Sequence, residues 1–269
     1  MDEVVVVGYG TQKKVNLTGS VASITPETIE NRPITQTSQA LAGLTSGVTV
    51  SQSSGRPGGD QASIRIRGVG TFSGAGSDPL VLIDGLSASI NDVDPNNIAN
   101  ISILKDAASS AIYGTRAANG VILIETKRGK KGVTQVAYNG YVGWQKATEL
   151  PDFLDSWDYA IMRNEADKNS GLSATYDQND IDKFRNGSDP DNYPNVNHLK
   201  DLVTSGSGFQ TGHNVTLSNG GEKLSYFFSL GYLHQEGIVE QNDYSKYNFQ
   251  LNIDNQILSN LLLKANLSG

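Results

Sequence analysis

Strict alternation of apolar and polar residues in the second half of the chain is the feature that most limits its fold. Four segments show it, Val133 to Trp144, His213 to Leu217, Leu224 to Tyr232 and Tyr247 to Asp254, and Leu261 to Leu267 begins another. Successive side chains of a strand point to opposite faces, so each segment predicts a strand with one apolar and one polar face. Asn219 to Glu222 predicts a tight hairpin turn between two of these strands. This half is therefore predicted to form an antiparallel sheet.

Two architectures fit such strands. Segments of about ten residues with tyrosine and tryptophan near their ends are typical of outer-membrane β-strands. Strands that pack on the core of a soluble sandwich alternate in the same way. The alternation by itself leaves both open.

The most densely patterned stretch precedes these strands and runs from Pro79 to Gly129. It predicts a strand at Leu80 to Ile83, stopped by a turn at Asp84-Gly85, and further strands at Ile101 to Leu104 and Val121 to Thr126. Ala107 to Tyr113 is alanine-rich and predicts a short helix, with Asp106 as its N-cap and Gly114 just past its end. The stretch is therefore a compact mixed unit, and no catalytic group stands at its centre.

The residues LVLIDG followed by ISILKDAASSAIYGTRAANGVILIETKRGKKG resemble the signature region of the SusC/RagA family of TonB-linked outer-membrane transporters. The sequence departs from the family pattern at Leu86-Ser87, where a branched residue and proline are common. The resemblance implies an α+β plug domain followed by antiparallel strands of an incomplete transmembrane β-barrel. It implies a TonB-box segment at 1–14, the plug at 15–131, and the first strands and first long loop of the barrel at 132–269.

The same resemblance implies TonB-dependent import of a nutrient, an oligosaccharide or a peptide, across the outer membrane, with the plug as gate and on the periplasmic side of the lumen. The implied partners are TonB with its inner-membrane energising complex, a SusD-like surface lipoprotein, the glycan or peptide cargo and outer-membrane lipid. Nothing is converted chemically, and neither an enzyme activity nor a cofactor is implied. The alternative is a secreted β-rich ligand-binding module without transport.

The β-branched run near the start of the chain fits an ordinary strand or a segment that adds to a partner's sheet through main-chain hydrogen bonds. Its position in the chain and its residue sequence are similar to the family's TonB box. The residues expected to contact TonB are consecutive: Asp2, Glu3, Val4, Val5, Val6, Val7 and Gly8. No secretion signal is recognisable before them, since the start shows neither a basic region nor a cleavage site. The resemblance implies that the family's signal peptide, and the small β-sandwich extension that often follows it, are left off this sequence.

Two arginines, Arg67 and Arg116, are candidate contacts between plug and barrel. Arg67 shares one side of the predicted strand Ala62 to Arg67 with Arg65. Arginine side chains usually lie exposed at the protein surface. Because the guanidinium fork suits carboxylate partners, we hypothesise that Arg67 and Arg116 pair with barrel carboxylates outside this chain.

The glycine-rich loop after Arg67 does not fit a dinucleotide fingerprint, since its third glycine is one residue late and a strand follows it. It is a better candidate for touching cargo, through Thr71, Phe72, Ser73 and Ser77.

Charge and composition exclude several other classes. The 269 residues carry 21 Lys+Arg against 28 Asp+Glu, a net charge of −7, which argues against a nucleic-acid partner. There is no cysteine, and the three histidines lack metal-ligand spacing. Asp84, Asp92 and Asp94 crowd near a turn without the calcium-loop pattern, which predicts solvated turn residues.

The segment from Glu149 to Gly208 is acidic and too long for a simple turn. It predicts a helix at Ser156 to Lys168 and fits a long extracellular loop.

Overall fold

The computed structural model describes residues 4–7, 10–13, 21–30, 32, 34–69, 76–106, 110–132 and 134–269. The chain forms two compact units. The first comprises Met1–Gly143, Phe209–Glu236 and Asn242–Gly269, and the second comprises Trp144–Gly208 and Gly237–Gln241.

A mixed five-stranded sheet forms the centre of the first unit. Its strands are β3 (Val21–Ile24), β6 (Leu80–Ile83), β7 (Leu86–Ser87), β8 (Ile98–Leu104) and β9 (Val121–Thr126), in the order β3-β8-β9-β6-β7. Only β6 and β9 pair in parallel. Short helices α1 (Pro26–Glu30) and α2 (Thr37–Ala40) accompany it, together with the paired strands β4 (Val48–Gln52) and β5 (Ala62–Ile66). Strands β1 (Val4–Val7) and β2 (Gly10–Lys13) pair separately as a hairpin.

Both faces of the mixed sheet are buried. Alternate residues of β9 divide between two clusters, with Ile122 and Ile124 on one face and Val121 and Leu123 on the other. The first cluster includes residues of α1, α2, β4 and β5, and so is the larger core. Burial on both faces explains why β8 and β9 read as nearly continuous apolar runs.

The strands predicted between Pro79 and Gly129 are confirmed, and the Asp84-Gly85 turn joins β6 to β7. The predicted helix differs. Residues 107–109 lie outside the described part, and a 3-10 helix spans Ala111–Ala117. Gly114 interrupts that span with a non-helical backbone at φ 70°, so a first helical segment ends there and a second one follows; glycine adopts a positive φ without a Cβ clash.

The alternating segments form one antiparallel sheet, as predicted. Its strands are β10 (Gln135–Trp144), β11 (Phe209–Gly220), β12 (Leu224–Glu236), β13 (Asp243–Leu258) and β14 (Leu261–Ser268), in sequence order. Strands β10 and β14 form the two edges, so the sheet is not closed.

The two faces of this sheet have the reverse of the usual polarity. Its polar face is buried, with Ser229 0% and Asn252 2% exposed. Its apolar face is exposed, with Leu230 at 51% and Tyr247 at 76%. A strand of a soluble sandwich buries its apolar residues instead.

The second unit contains helices α3 (Ser156–Asn169), α4 (Gln178–Asn186) and α5 (His198–Val203). A capping box of Asp177 and Asp180 begins α4, and Gly187 ends it in the left-handed conformation. In the described part of the chain, no helix has the length and apolar character needed to cross a membrane.

Candidate functional site

Within the described part of the first unit, an extended polar interface joins one face of β13 to the domain built on the mixed sheet, called here the plug domain. Alternate residues of β13 supply the contacts over most of the strand: Tyr244, Lys246, Asn248, Asn252 and Asp254. These residues, with Gln250, are named the β13 row. Because they are spaced by two, they project from the same face of the strand.

One end of the row meets the point where the chain leaves β9. The side-chain amide of Asn252 donates to Thr126 Oγ1 at 2.8 Å and to the Lys127 carbonyl at 2.7 Å. Arg128 Nη1 lies 2.7 Å from Asp254 Oδ1. The Arg128 side chain is 30% exposed and that of Asp254 22%, so this charge-assisted hydrogen bond is partly shielded from water.

Asp84 connects this group to the β6-β7 turn. Its carboxylate accepts from the Thr126 backbone N–H at 3.1 Å and from Thr126 Oγ1 at 2.5 Å, and lies 3.9 Å from Arg128 Nη2. The side chain is only 12% exposed, so the prediction of a solvated turn residue is wrong for Asp84. Its backbone has φ 48°, a conformation that aspartate tolerates better than most residues.

A second group lies further along β13. Lys246 Nζ donates to the Asn91 carbonyl at 2.9 Å, and Asn248 Nδ2 donates to Asp94 Oδ2 at 2.8 Å. Asp94 also caps the 3-10 helix Pro95–Asn97, so its carboxylate accepts hydrogen bonds from both the plug domain and β13.

Two glycines allow close approach between the plug domain and the sheet. A methyl group on Gly58 would lie 2.7 Å from Cγ of Tyr244 in the β13 row. One on Gly129 would lie 2.5 Å from the backbone nitrogen of Tyr226 on β12. Any side chain at Gly129 would therefore force the backbones apart.

The arginines singled out in the sequence are not part of this interface. Arg67 and Arg116 are both exposed, and neither forms an ion pair with a described residue. Arg67 follows the last residue of β5 with φ 58°, and Arg116 lines a cavity of about 720 Å³ beside Tyr113 and Lys264. Their pairing with carboxylates outside this chain stays a hypothesis.

The other predicted site residues are described only in part. Thr71, Phe72 and Ser73 lie outside the described residues, while Ser77 is half-buried. Asn119 Nδ2 donates to the carbonyls of Gly76 and Asp78, which fixes this end of the loop. Of the expected TonB contacts, Val4, Val5, Val6 and Val7 form β1, and Asp2, Glu3 and Gly8 lie outside the described part.

Sequence reasoning identified the polar side of β13 but not its partner. The missed residues were the partners Thr126 and Arg128, which bind Asn252 and Asp254 of this side. The sequence did contain a sign of this partner. The polar face of the strand consists of Asn, Gln, Asn and Asp, and so carries more hydrogen-bonding groups than a face exposed to water needs.

Glu125 predicts a pH dependence of stability near this interface. Burial raises the pKa of its half-buried carboxyl above 4.5, the hydrogen bond from Asn100 opposes this, and the Asp84 charge adds to it. When the pKa of a carboxyl is higher in the folded than in the unfolded state, its contribution to the free energy of unfolding is complete at a pH below the unfolded-state pKa. That contribution is lost as the pH rises through the folded-state pKa. We expect Glu125→Gln to raise the thermal unfolding midpoint relative to the unmodified chain at pH 7, with little difference at pH 4.

Glu27 provides the control of opposite sign. The Thr25 side chain hydrogen-bonds its carboxylate and lowers its pKa, so its contribution is lost as pH falls. Glu27→Gln should therefore cost stability at pH 7 and not at low pH. Equal changes of the thermal unfolding midpoint in the two variants would contradict the raised pKa of Glu125.

Comparisons with known proteins agree with this architecture. Residues 13–121 match the family described as TonB-dependent Receptor Plug Domain. The chain is 38% identical over 261 residues to the TonB-dependent receptor P26 of Formosa agariphila, covering 94% of this chain and 25% of the relative. It is 36% identical over 269 residues to the TonB-dependent receptor SusC of Bacteroides thetaiotaomicron, covering 94% and 24%. The chain thus spans about a quarter of the length of these relatives.

Solved structures show the same arrangement. The RagAB peptide importer in its open-open state superposes with a TM-score of 0.78 at 28% identity, over 99% of this chain and 32% of that chain. The siderophore receptor PirA of Pseudomonas aeruginosa gives a TM-score of 0.54 at 18% identity, over 92% of this chain and 35% of that chain, and shows a shared fold.

Proposed function

Because this chain belongs to the TonB-dependent receptors of the SusC/RagA type, we propose that it forms the gate and part of the wall of an importer in the outer membrane. The plug domain closes the lumen, and the sheet β10–β14 belongs to the surrounding barrel. The cargo is a nutrient, an oligosaccharide or a peptide, and passes unchanged. Residues 1–14, 15–131 and 132–269 serve as TonB segment, plug, and barrel strands with their first long loop.

The observation that carries this proposal is the reversed polarity of the sheet. Its polar face packs on the plug domain, and its apolar face is exposed. A secreted binding module, the alternative function, would need a covered apolar face to be stable in water. A barrel wall around a polar plug needs the polarity seen here.

The interface also suits a gate. Its described contacts are hydrogen bonds and a charge pair, and these can exchange for water when the plug moves. The known identities of the relatives as receptors fit a protein without enzyme activity.

The proposed energy source is TonB, contacting Asp2 to Gly8. Strand β1 pairs with β2 on one edge, and its other edge has no sheet partner in the described part of the chain. A free edge can accept a strand from a partner through main-chain hydrogen bonds. A SusD-like lipoprotein is the proposed partner outside the cell, and Thr71 to Ser77 the proposed contact with cargo.

We expect deletion of residues 1–10 to abolish capture of the full-length receptor by the TonB C-terminal domain, because the pairing strand is removed. Uptake of labelled cargo should fall to background in the same variant, and a proton uncoupler should have the same effect on the unmodified receptor. A variant that replaces residues 1–10 with a glycine-serine segment of equal length controls for length. Uncoupler-resistant uptake, or undiminished capture after deletion, would contradict the proposal.

A further inference from the structure

Asp60 of the plug domain is a buried carboxylate without an ion-pair partner. It lies in the loop between β4 and β5 and is 1% exposed. Its Oδ2 atom accepts hydrogen bonds from Gln39 Nε2 at 3.0 Å and from Thr35 Oγ1 at 2.5 Å. It forms no ion pair with any residue that the structure describes. Two neutral donors therefore satisfy one oxygen of Asp60 and leave its charge unbalanced.

The second oxygen of Asp60, Oδ1, is buried and has no hydrogen-bond partner within the described part of the chain. Taking a carboxylate out of water is costly unless a cation or several donors replace the water. Arg56, the basic residue of the same loop, is exposed and does not pair with Asp60. The fold thus presents a buried carboxylate oxygen that a positive partner would satisfy.

The inner face of the five-stranded sheet supplies two more such oxygens. Gln210 at the start of β11 is 8% exposed, and neither its Oε1 nor Tyr141 Oη of β10 has a hydrogen-bond partner among the described residues. The Tyr141 ring lies against Gly212, which is the next inward residue of β11 after Gln210. A methyl group on Gly143 of β10 would lie 3.6 Å from Gln210 Nε2, so Gln210 reaches across to β10. The side chains of Gln210 and Tyr141 are therefore neighbours.

The loop that carries Asp60 lies over this end of the sheet. Gln210 pairs with Gln235, and Gln235 pairs with Tyr244, in one cross-strand row. The Tyr244 ring packs against Gly58, two residues before Asp60 in the chain. The loop therefore covers the row that begins at Gln210.

The charge around this space is negative. The carboxylates of Asp94 and Asp60 both lie near enough to Tyr141 to act electrostatically on its hydroxyl. Lys246, the cation of the β13 row, donates to the Asn91 carbonyl and pairs with neither carboxylate. A cation between Asp60 and Tyr141 would therefore be attracted from both sides.

We propose that Asp60 Oδ1, Gln210 Oε1 and Tyr141 Oη bind a calcium ion, which ties the plug loop to the sheet. Carboxylate, amide and hydroxyl oxygens suit hard cations. These three come from separate segments, and Ca²⁺ tolerates such irregular sets, with water completing its shell, whereas Mg²⁺ demands a near-ideal octahedron. No cluster of three or more His, Asp or Glu ligands occurs among the described residues, so we expect weak binding, in the millimolar range. The site is independent of cargo and of TonB.

The test uses the full-length receptor after divalent cations have been removed with a chelator. Amide hydrogen exchange of residues 54–60 is measured with and without millimolar calcium, and we expect calcium to slow it severalfold. Terbium, which replaces calcium at oxygen sites and emits when a nearby tyrosine is excited, probes the same site. Tyr141→Phe should weaken this emission, because it removes both a ligand and the sensitising ring.

Asp60→Asn keeps the size of the side chain and should abolish the effect of calcium on residues 54–60. Asp78→Asn is the matched control, since it removes an exposed carboxylate of the plug domain and should leave the effect intact. Exchange of residues 54–60 that does not respond to calcium, or an undiminished response in Asp60→Asn, would overturn the site. Equal protection by magnesium would overturn the choice of calcium.

Gln210→Glu keeps the proposal testable if Asp60→Asn does not fold. With a cation in place, a second carboxylate should lower severalfold the calcium concentration that gives half of the protection. Without a cation, the same change sets two carboxylates together and should only speed the exchange of the loop. A faster exchange that calcium does not reverse would therefore count against the site.

Discussion

Cysteines at Thr126 and Asn252 are expected to stop import when they are oxidised and to restore it when they are reduced. These side chains already touch, with Asn252 Nδ2 2.8 Å from Thr126 Oγ1, and they join the exit of the plug domain to β13. A disulfide there would prevent the plug from separating from the wall. If gating requires that separation, uptake of cargo should fall to background in the oxidised receptor.

The matched control is a cross-link within the wall. Thr216 on β11 and Ser229 on β12 lie directly opposite each other in the sheet, and opposite residues have Cα atoms about 4.5–5.5 Å apart, a spacing that a disulfide can span. Cysteines at this pair should form a disulfide that leaves uptake unchanged. Full uptake by the oxidised Thr126–Asn252 pair, with the cross-link verified by mass spectrometry, would show that the plug need not leave β13.

Replacing Arg128 with alanine is expected to loosen the seated plug more than any other single substitution at the interface. The change leaves the carboxylates of Asp84 and Asp254 without their shared cation, and both are largely shielded, at 12% and 22% exposure. Loss of a charge-assisted hydrogen bond of this kind costs about 1–3 kcal/mol. Asn266, whose amide oxygen faces Arg128 Nη2 at 3.1 Å in the orientation that satisfies both amide atoms, loses this donor as well.

The readout is leakage through the receptor in whole cells, measured as sensitivity to an antibiotic too large for ordinary porins. Arg128→Lys should show an intermediate effect, because lysine keeps the charge and loses the guanidinium fork. Arg116→Ala tests the other hypothesis for plug retention, since Arg116 is exposed, forms no ion pair with a described residue and is the residue proposed to pair with carboxylates outside this chain. Greater leakage from Arg116→Ala than from Arg128→Ala would favour retention through carboxylates outside this chain.

Local pattern was sufficient to predict most of the strands. Leu80 to Ile83 and Val121 to Thr126 were predicted with the bounds that the structure has, because apolar runs bounded by proline, glycine and polar residues limit a strand on both sides. The interruption expected at Gly114 agrees with the structure, where the backbone of Gly114 is not helical, but the second helical segment that follows it was not predicted. Glycine occurs wherever φ must be positive, whether inside or past a helix, and pattern alone does not tell these cases apart.

The interface could not be predicted in the same way. Asn252 and Thr126 are separated by 126 residues, and Asn248 and Asp94 by 154. The sequence shows that Asp254 is polar but not that it meets Arg128, since the pairing depends on how the plug domain sits against the sheet. The reversed polarity is likewise a property of the surroundings, because alternation is the same on either side of a sheet.

The β13 row also bears on the order of events during biogenesis. The groups that hold the plug domain lie on the fourth strand of the sheet, well over a hundred residues after the plug residues that they bind. Under the proposed function, a plug domain that has been synthesised lacks the strand it binds until β10 to β13 have also been made and paired. Because contacts of such long sequence separation form late in folding, we expect the plug domain to fold first on its own core and to dock on β13 afterwards.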